Sequence, residues 1–199
     1  IMITATHTHS GPVTTPPLQA TPGCIPPPPD AAYLDWLVEQ LTEGAVTAAG
    51  RAVPAELSLG FADSSGVGCN RRSPKGPSNP RVPVLAVRDT TERKPIALML
   101  VVCVHPTVLH EDSKLISADF PGHTRAFLQE RLGPVPILYH SGPAGNQSPR
   151  HLTRENTVAE ARRLGTILGG SIVTALENLR FSNQVRLHCE SRDIDLPLN

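Results

Sequence analysis

The sequence has no surplus of either charge and no long hydrophobic run. Its 199 residues include 18 lysines and arginines and 18 aspartates and glutamates, so the formal net charge is zero with histidine neutral. Nucleic-acid-binding domains normally carry a basic excess, and the balance argues against that class. The longest apolar run, at 96–104, has nine residues, far fewer than the ~20 that a membrane-spanning helix needs. We therefore expect no nucleic-acid partner and no transmembrane segment.

The sequence also lacks a C-x-x-C pair, which argues against a zinc site built from cysteines. Cys103 falls in the apolar run and is expected in the core. Cys24 and Cys69 lie in loop-like sequence, and they could pair in an exported protein, but their spacing does not decide this. The fourth cysteine is Cys189.

No initiator methionine and no signal-peptide pattern opens the chain, which begins inside an apparent strand. We expect a piece of a longer protein, truncated at both ends. Apolar residues at helical spacing predict helices over 31–52, with Asp30 as the N-cap, and over 121–132 and 157–179. Alternating or continuous apolar runs predict strands over 55–61, 82–88, 95–104, 135–140 and 185–196. The expected fold is a single α/β domain covering 1–199, with a mixed, largely parallel sheet flanked by helices.

Two histidines stand one residue apart near the start of the chain, in the segment IMITATHTHSGP at 1–12. If the segment is a strand, His7 and His9 project from the same face at its C-terminal end. The buried run at 95–104 likewise ends at His105, just before a proline. Two strands that deliver histidines to one sheet edge predict a metal site, since neutral imidazole is the commonest transition-metal ligand. Polar residues that merely end a strand remain the alternative.

Four further residues could carry chemistry. Arg71 and Arg72 lie in a polar loop, where they are either solvated or grip a carboxylate or an oxyanion. Ser148 lies in a Gly/Asn/Pro-rich turn that lacks the G-x-S-x-G pattern of the α/β-hydrolases, so it could be only a turn residue. Asp119 could orient a metal ligand or cap the helix that follows it.

Taken together, five motifs resemble the N-terminal catalytic domain of the neutral/alkaline, non-lysosomal ceramidases. They are ATHTHSGP at 5–12, NRRSP at 70–74, HPT at 105–107, SADFPG at 117–122 and GNQSP at 145–149. The motifs occur in the order found in that family and span nearly the whole chain. The resemblance implies a zinc-dependent amidase.

The resemblance also assigns roles to residues. It implies that His7 and His105 are ligands of one Zn²⁺ per chain, and that His9 lies beside the metal and helps to bind or polarise the scissile amide. The family's arginine corresponds to Arg72 or Arg71, with Arg72 preferred, and its turn serine corresponds to Ser148.

The chain departs from the family pattern at two positions of the serine turn. Asn146 replaces an aspartate, and Arg150 replaces an asparagine. The family's other zinc ligands, a glutamate and a tyrosine, lie further along the chain than this sequence extends.

The implied reaction is hydrolysis of a linear amide C–N bond in an N-acyl sphingoid or related N-acyl lipid amide, giving a fatty acid and an amine by zinc-activated water. The resemblance suggests a secreted, periplasmic or cell-surface protein of sphingolipid metabolism and leaves peripheral membrane contact open. Ser148 either positions the substrate or attacks it.

Two alternatives are a non-catalytic ceramidase-like binding domain and a metal-independent serine hydrolase. In the second, Ser148 is the nucleophile and His140 or His151 is the base. The metallo-β-lactamase type is disfavoured because Ser10 and Gly11 stand where it has Asp-His.

Overall fold

The computed structural model describes residues 2–15, 28–110 and 112–195. The helices are α1 (Ala31–Gly50), α2 (Asp119–Leu132) and α3 (Val158–Leu176). The strands are β1 (Ala55–Asp63), β2 (Cys69–Asn70), β3 (Arg81–Asp89), β4 (Pro95–Val102), β5 (Ile137–Ser141) and β6 (Gln147–Ser148). Over these ranges, no helix combines the length and the apolar character that crossing a bilayer requires.

The main sheet has the strand order β1-β3-β4-β5, and a second small sheet pairs β2 with β6. This confirms the α/β class and the mixed sheet. The expectation that parallel pairs predominate is wrong, because β1–β3 and β3–β4 are antiparallel and only β4–β5 is parallel. A short polar turn joins β3 to β4 and forces them antiparallel, whereas the crossover through α2 lets β5 run parallel to β4.

The core lies on one face of the main sheet, where α2 and α3 cover it. In β4 the side chains alternate between fully buried and half-buried, so the strand is not buried on both faces as its continuous apolar run suggested. The fully buried face of β3 and β4 meets the apolar faces of the two helices. This cluster includes Val82, Val84, Leu98, Leu100, Val102, Phe120, Leu128, Leu164 and Leu168.

Two helices begin as the sequence predicts. The Asp30 carboxylate accepts a hydrogen bond from Tyr33 N at 3.2 Å at the start of α1, and Thr157 accepts one from Glu160 N at the start of α3. No residue of α1 is buried, however, and its Trp36 side chain is 53 % exposed. Cys103 is buried as expected.

Both terminal strands predicted from the sequence are absent from the described residues. Residues 2–15 and 185–195 form no strand. The chain instead touches the free edge of β1 through a single bridge between Ser182 and Leu57. Alternating apolar residues form a strand only where a neighbouring strand pairs with them and one face is buried. The segment at 185–195 has no such buried face at Leu187, which is 90 % exposed. Cys24 and the prolines at 16–27 lie outside the described residues.

Candidate metal centre and adjoining pocket

Three imidazoles converge beyond the end of β4. His7 and His9 come from the N-terminal segment, and their Nε2 atoms lie 3.4 Å apart. One ligand nitrogen from each of these rings and from His105 fits within a 4.8 Å span. Nitrogens that bind a tetrahedral zinc at 2.0–2.1 Å lie ~3.3 Å apart. The cluster could therefore hold a metal ion.

Backbone carbonyls orient the His105 ring. Its Nδ1 lies 2.7 Å from the oxygen of Ala144 and 3.2 Å from that of Gln147. Since a carbonyl oxygen only accepts, Nδ1 carries the proton and Nε2 keeps a free lone pair. A backbone carbonyl on the far ring nitrogen is the usual support of a metal-binding histidine. His105 N also donates to Gln147 O at 3.1 Å, which ties the residue to the serine turn.

An irregular backbone, rather than a strand, brings His7 and His9 to the site. His7 has φ 61°, a left-handed conformation that is uncommon for a residue with a side chain and that clusters at functional sites. Two hydrogen bonds fix the segment to the loop before α2: Thr8 Oγ1 donates to Ser117 O at 2.7 Å, and Ser117 N donates to Ser10 O at 2.8 Å. The sequence thus predicted the meeting of the histidines correctly but not the backbone that produces it.

The electrostatic environment favours the neutral form of the first two imidazoles. Partial burial lowers the pKa of His7, and the neighbouring His105 ring lowers it further. Burial likewise lowers the pKa of His9, with smaller contributions from the other two rings and from Arg71, against an opposing effect of Asp119. Neutral rings have the lone pair that a metal requires.

Asp119 supports the site through the backbone rather than through an imidazole. Its buried carboxylate accepts hydrogen bonds from Leu109 N at 2.9 Å and from Phe120 N at 2.7 Å. The residue is the first of α2, with φ 54°, and the N-cap position belongs to Ala118. Neither predicted role for Asp119 matches these contacts. It joins the segment that follows His105 to the start of α2.

A pocket of about 570 Å³ adjoins the imidazole cluster. His9, His105 and Ser148 all line it, so the structure brings together three of the predicted site residues. Ser148 is buried on β6, opposite Cys69 of β2, and its Oγ accepts a hydrogen bond from Arg150 N at 3.3 Å. The pairing of β2 with β6 therefore positions this serine.

Of the two candidate arginines, Arg71 lines the pocket and Arg72 does not. Arg71 N donates to Asn146 O at 2.8 Å, which holds the residue beside the serine turn. The Asn70 side chain then accepts hydrogen bonds from the next two amides, at Arg72 and Ser73, and turns the chain away. The lining of the pocket therefore favours Arg71 over Arg72 as the arginine of the candidate site.

The histidines proposed as a base for Ser148 are not hydrogen-bonded to its hydroxyl. His140 Nδ1 lies 2.6 Å from Thr4 Oγ1, and His151 is exposed. Across 2–15, 28–110 and 112–195, no imidazole nitrogen is hydrogen-bonded to Ser148 Oγ. This geometry disfavours the metal-independent serine hydrolase.

The sequence reasoning missed two basic residues of the pocket. Arg154 and His110 line it, although neither belongs to a motif. Arg154 N donates to the Glu160 carboxylate at 2.9 Å, which fixes its position against α3. Only its proximity in sequence to the serine turn could have suggested it.

No family model and no curated protein matches the sequence. The fold, however, is that of part of neutral ceramidase, which confirms the resemblance at the level of the fold. The crystal structure of neutral ceramidase from Pseudomonas aeruginosa superposes with a TM-score of 0.63 at 18% identity, covering 73% of this chain and 26% of that one. A structure of a ceramidase complexed with C2 gives a TM-score of 0.64 with the same identity and coverage. The chain thus spans about a quarter of the length of these proteins.

Proposed function

We propose that this chain carries the metal site of a zinc-dependent amide hydrolase acting on an N-acyl lipid amide. The observation that supports this most directly is the meeting of three imidazoles beside a pocket that contains Ser148. The likeness of the fold to part of neutral ceramidase adds support, because it agrees with the family that the five sequence motifs resemble. Hydrolysis would consume water and the amide and release a fatty acid and an amine.

His7, His9 and His105 would hold the ion. The resemblance gives His9 a role beside the metal, whereas its 3.4 Å separation from His7 favours a third ligand. Three protein ligands with an open fourth position are typical of catalytic zinc. When bound, zinc lowers the pKa of water from that of bulk water to about 7 and so supplies a nucleophile at neutral pH.

The other residues of the pocket would bind and polarise the substrate. Ser148 Oγ can donate a hydrogen bond to the amide, and without a histidine beside it we assign it to positioning rather than attack. Arg71 takes the role first expected of Arg72. Its guanidinium would stabilise the negative charge that develops on the amide oxygen during hydrolysis.

The test is the zinc content of the purified protein with three single variants, His7→Ala, His9→Ala and His105→Ala. We expect about one zinc per chain and a large loss of metal in each variant. His151→Ala is the matched control, because this exposed histidine lies outside the cluster and should leave the metal in place. Full zinc content in His105→Ala, or no zinc in the parent chain, would contradict the proposal.

Hydrolysis assays separate the remaining alternatives. Chain with bound zinc is incubated with an N-acyl sphingosine and with a simpler N-acyl amine, with and without a chelator. Zinc-dependent release of fatty acid supports the hydrolase. Activity that resists the chelator would favour the serine hydrolase, and zinc binding without turnover would favour a non-catalytic binding domain.

A further inference from the structure

The pocket beside the imidazoles has a surplus of positive charge. Three arginines line it, at positions 71, 150 and 154, and His110 also belongs to the lining. Glu155 is the acidic residue of the same lining, and the Glu160 carboxylate accepts a hydrogen bond from Arg154 N. In a chain with a net charge of zero, this local surplus is a property of the site and not of the whole surface.

These arginines are available to a ligand. Their hydrogen bonds to described residues run through the main-chain amides: Arg71 to Asn146 O, Arg150 to Ser148 Oγ, and Arg154 to Glu160. Among the described residues, none of their guanidinium groups is paired with a carboxylate. Three arginines outside the pocket, Arg88, Arg93 and Arg163, do form such pairs.

The arginines lie close to where the reaction would occur. They share one pocket of about 570 Å³ with His105 and Ser148, so an anion bound to them would occupy the same pocket as the scissile amide. The fork of guanidinium donors matches carboxylate and phosphate oxygens. A neutral alcohol head group offers no charge to these groups.

We propose that the substrate of this site is an amide that carries an anionic group, a carboxylate or a phosphate, close to its C–N bond. The smallest member of this class is an N-acylated amino acid, whose carboxylate is one carbon from the amide nitrogen. The inference rests on the proposed hydrolase function and deepens it. It assigns Arg150 and Arg154 to substrate selection.

The experiment compares three probes with the same acyl chain. N-decanoylglycine carries a carboxylate, O-phospho-N-decanoylethanolamine carries a phosphate, and N-decanoylethanolamine is neutral. Their dissociation constants for the zinc-loaded chain are measured by calorimetry at low and at high salt. We expect at least one anionic probe to bind about tenfold or more tightly than the neutral one, as expected for a charge-assisted hydrogen bond. The ratio should fall as salt screens exposed charges.

Variants locate the origin of the preference. In the double variant Arg150→Gln/Arg154→Gln the ratio should fall several-fold, whereas Arg125→Gln, an exposed arginine of α2 outside the pocket, should keep it. The same measurement on chelator-treated protein removes any direct contact between the anion and zinc, and the preference should persist there. The tighter of the two anionic probes identifies the carboxylate or the phosphate source.

Two outcomes would overturn the inference: equal affinity for charged and neutral probes, or a ratio unchanged in the double variant. Zinc content and fatty acid release are recorded on the same samples. Hydrolysis without an anionic preference would contradict the substrate class and leave the hydrolase standing. An anionic preference without zinc or hydrolysis would contradict the hydrolase while supporting the anion-binding pocket.

Discussion

At the scale of single residues, a substitution at Ser148 should affect catalysis without affecting folding. Its hydroxyl lies in the pocket and accepts one hydrogen bond, from Arg150 N, so alanine should fit without displacing neighbours. If the hydroxyl positions the amide, Ser148→Ala should lower kcat by about 10²–10³, the usual cost of losing such a donor. Zinc content and melting temperature should stay close to those of the parent. Turnover near that of the parent would remove the residue from the site.

The two neighbouring arginines give a second prediction at this scale. Arg71 lines the pocket, whereas Arg72 lies beyond the turn that Asn70 forms. Arg71→Gln should therefore lower kcat/KM by tenfold or more, and Arg72→Gln should have much the smaller effect. Steady-state kinetics of both variants with one substrate provide the measurement. A larger loss in Arg72→Gln would restore the alignment preferred from sequence.

Much of the site could be predicted from residue types and their order, but its backbone could not. Histidines that follow strand-like runs indicated that His7, His9 and His105 would meet, and the three rings do lie together. The left-handed φ of His7 has no signal in the sequence, because threonine-rich apolar sequence favours a strand. The choice between Arg71 and Arg72 depends on one turn, in which the Asn70 side chain accepts a hydrogen bond from Arg72 N. Alignment on a short motif cannot predict such a turn.

At the scale of elements, the local patterns predicted helices and inner strands well but not how the strands pair. Periodicity located α1, α2 and α3 to within a few residues. Strand direction depends instead on the connections between strands. The loop between β1 and β3 is polar, and its sequence does not indicate that the two strands pair antiparallel. The two-residue strands β2 and β6, which position Ser148, are too short for any pattern to reveal.

The close approach of the residue before β2 to the segment that follows β4 requires glycine at position 68. A Cβ there would lie 2.5 Å from a Val104 methyl and 3.2 Å from Ser148 O. Gly68→Ala should therefore push the small sheet away from the segment that carries His105, with a loss of about 1–3 kcal/mol in the free energy of unfolding and weaker zinc binding.

Chemical denaturation and zinc titration of this variant provide the measurement. Gly44→Ala is the control, because nothing lies within 4 Å of its Cβ and alanine in the middle of α1 should be neutral or stabilising. Unchanged stability and zinc affinity in Gly68→Ala would contradict the close packing at this position.

A carboxylate at the start of α3 should make the stability of the fold sensitive to acid. The Glu160 carboxylate accepts a strong hydrogen bond from Arg163 and another from Arg154 N, which lower its pKa to about 2. The pKa of Glu160 is thus lower in the folded chain than in the unfolded chain, where it is about 4.5. The ionised carboxylate therefore stabilises the fold at pH values above about 4.5, and this stabilisation is lost as the pH falls toward 2. Glu160→Gln should therefore have a lower melting temperature than the parent chain at pH 7. Its melting temperature should also fall less than that of the parent between pH 7 and pH 2.

Melting temperatures measured from pH 7 to pH 2 check this prediction. Glu130→Gln is the matched control, since this exposed glutamate of α2 forms no ion pair with a described residue. Parallel pH curves for Glu160→Gln and the parent would remove the carboxylate from the acid response. The same contact holds the main chain of Arg154, so the variant should also weaken the anionic preference of the pocket.

At the scale of the whole molecule, the imidazole cluster joins parts of the chain that are far apart in sequence. His7 and His9 belong to a segment without regular structure, held by few hydrogen bonds, while His105 follows the central strand. A bound ion would connect this segment to the core and stabilise the folded state, because the unfolded chain cannot present the same three nitrogens together.

We therefore expect zinc to raise the melting temperature. At a free zinc concentration 100 times the dissociation constant, the linkage is about 2.7 kcal/mol, which corresponds to roughly 5–10 °C for a chain of this size. The shift should disappear in His105→Ala. Magnesium, which prefers oxygen ligands, should not produce it. An equal shift in His105→Ala would mean that zinc binds elsewhere, and no shift in the parent would mean that the three imidazoles do not act together as a site.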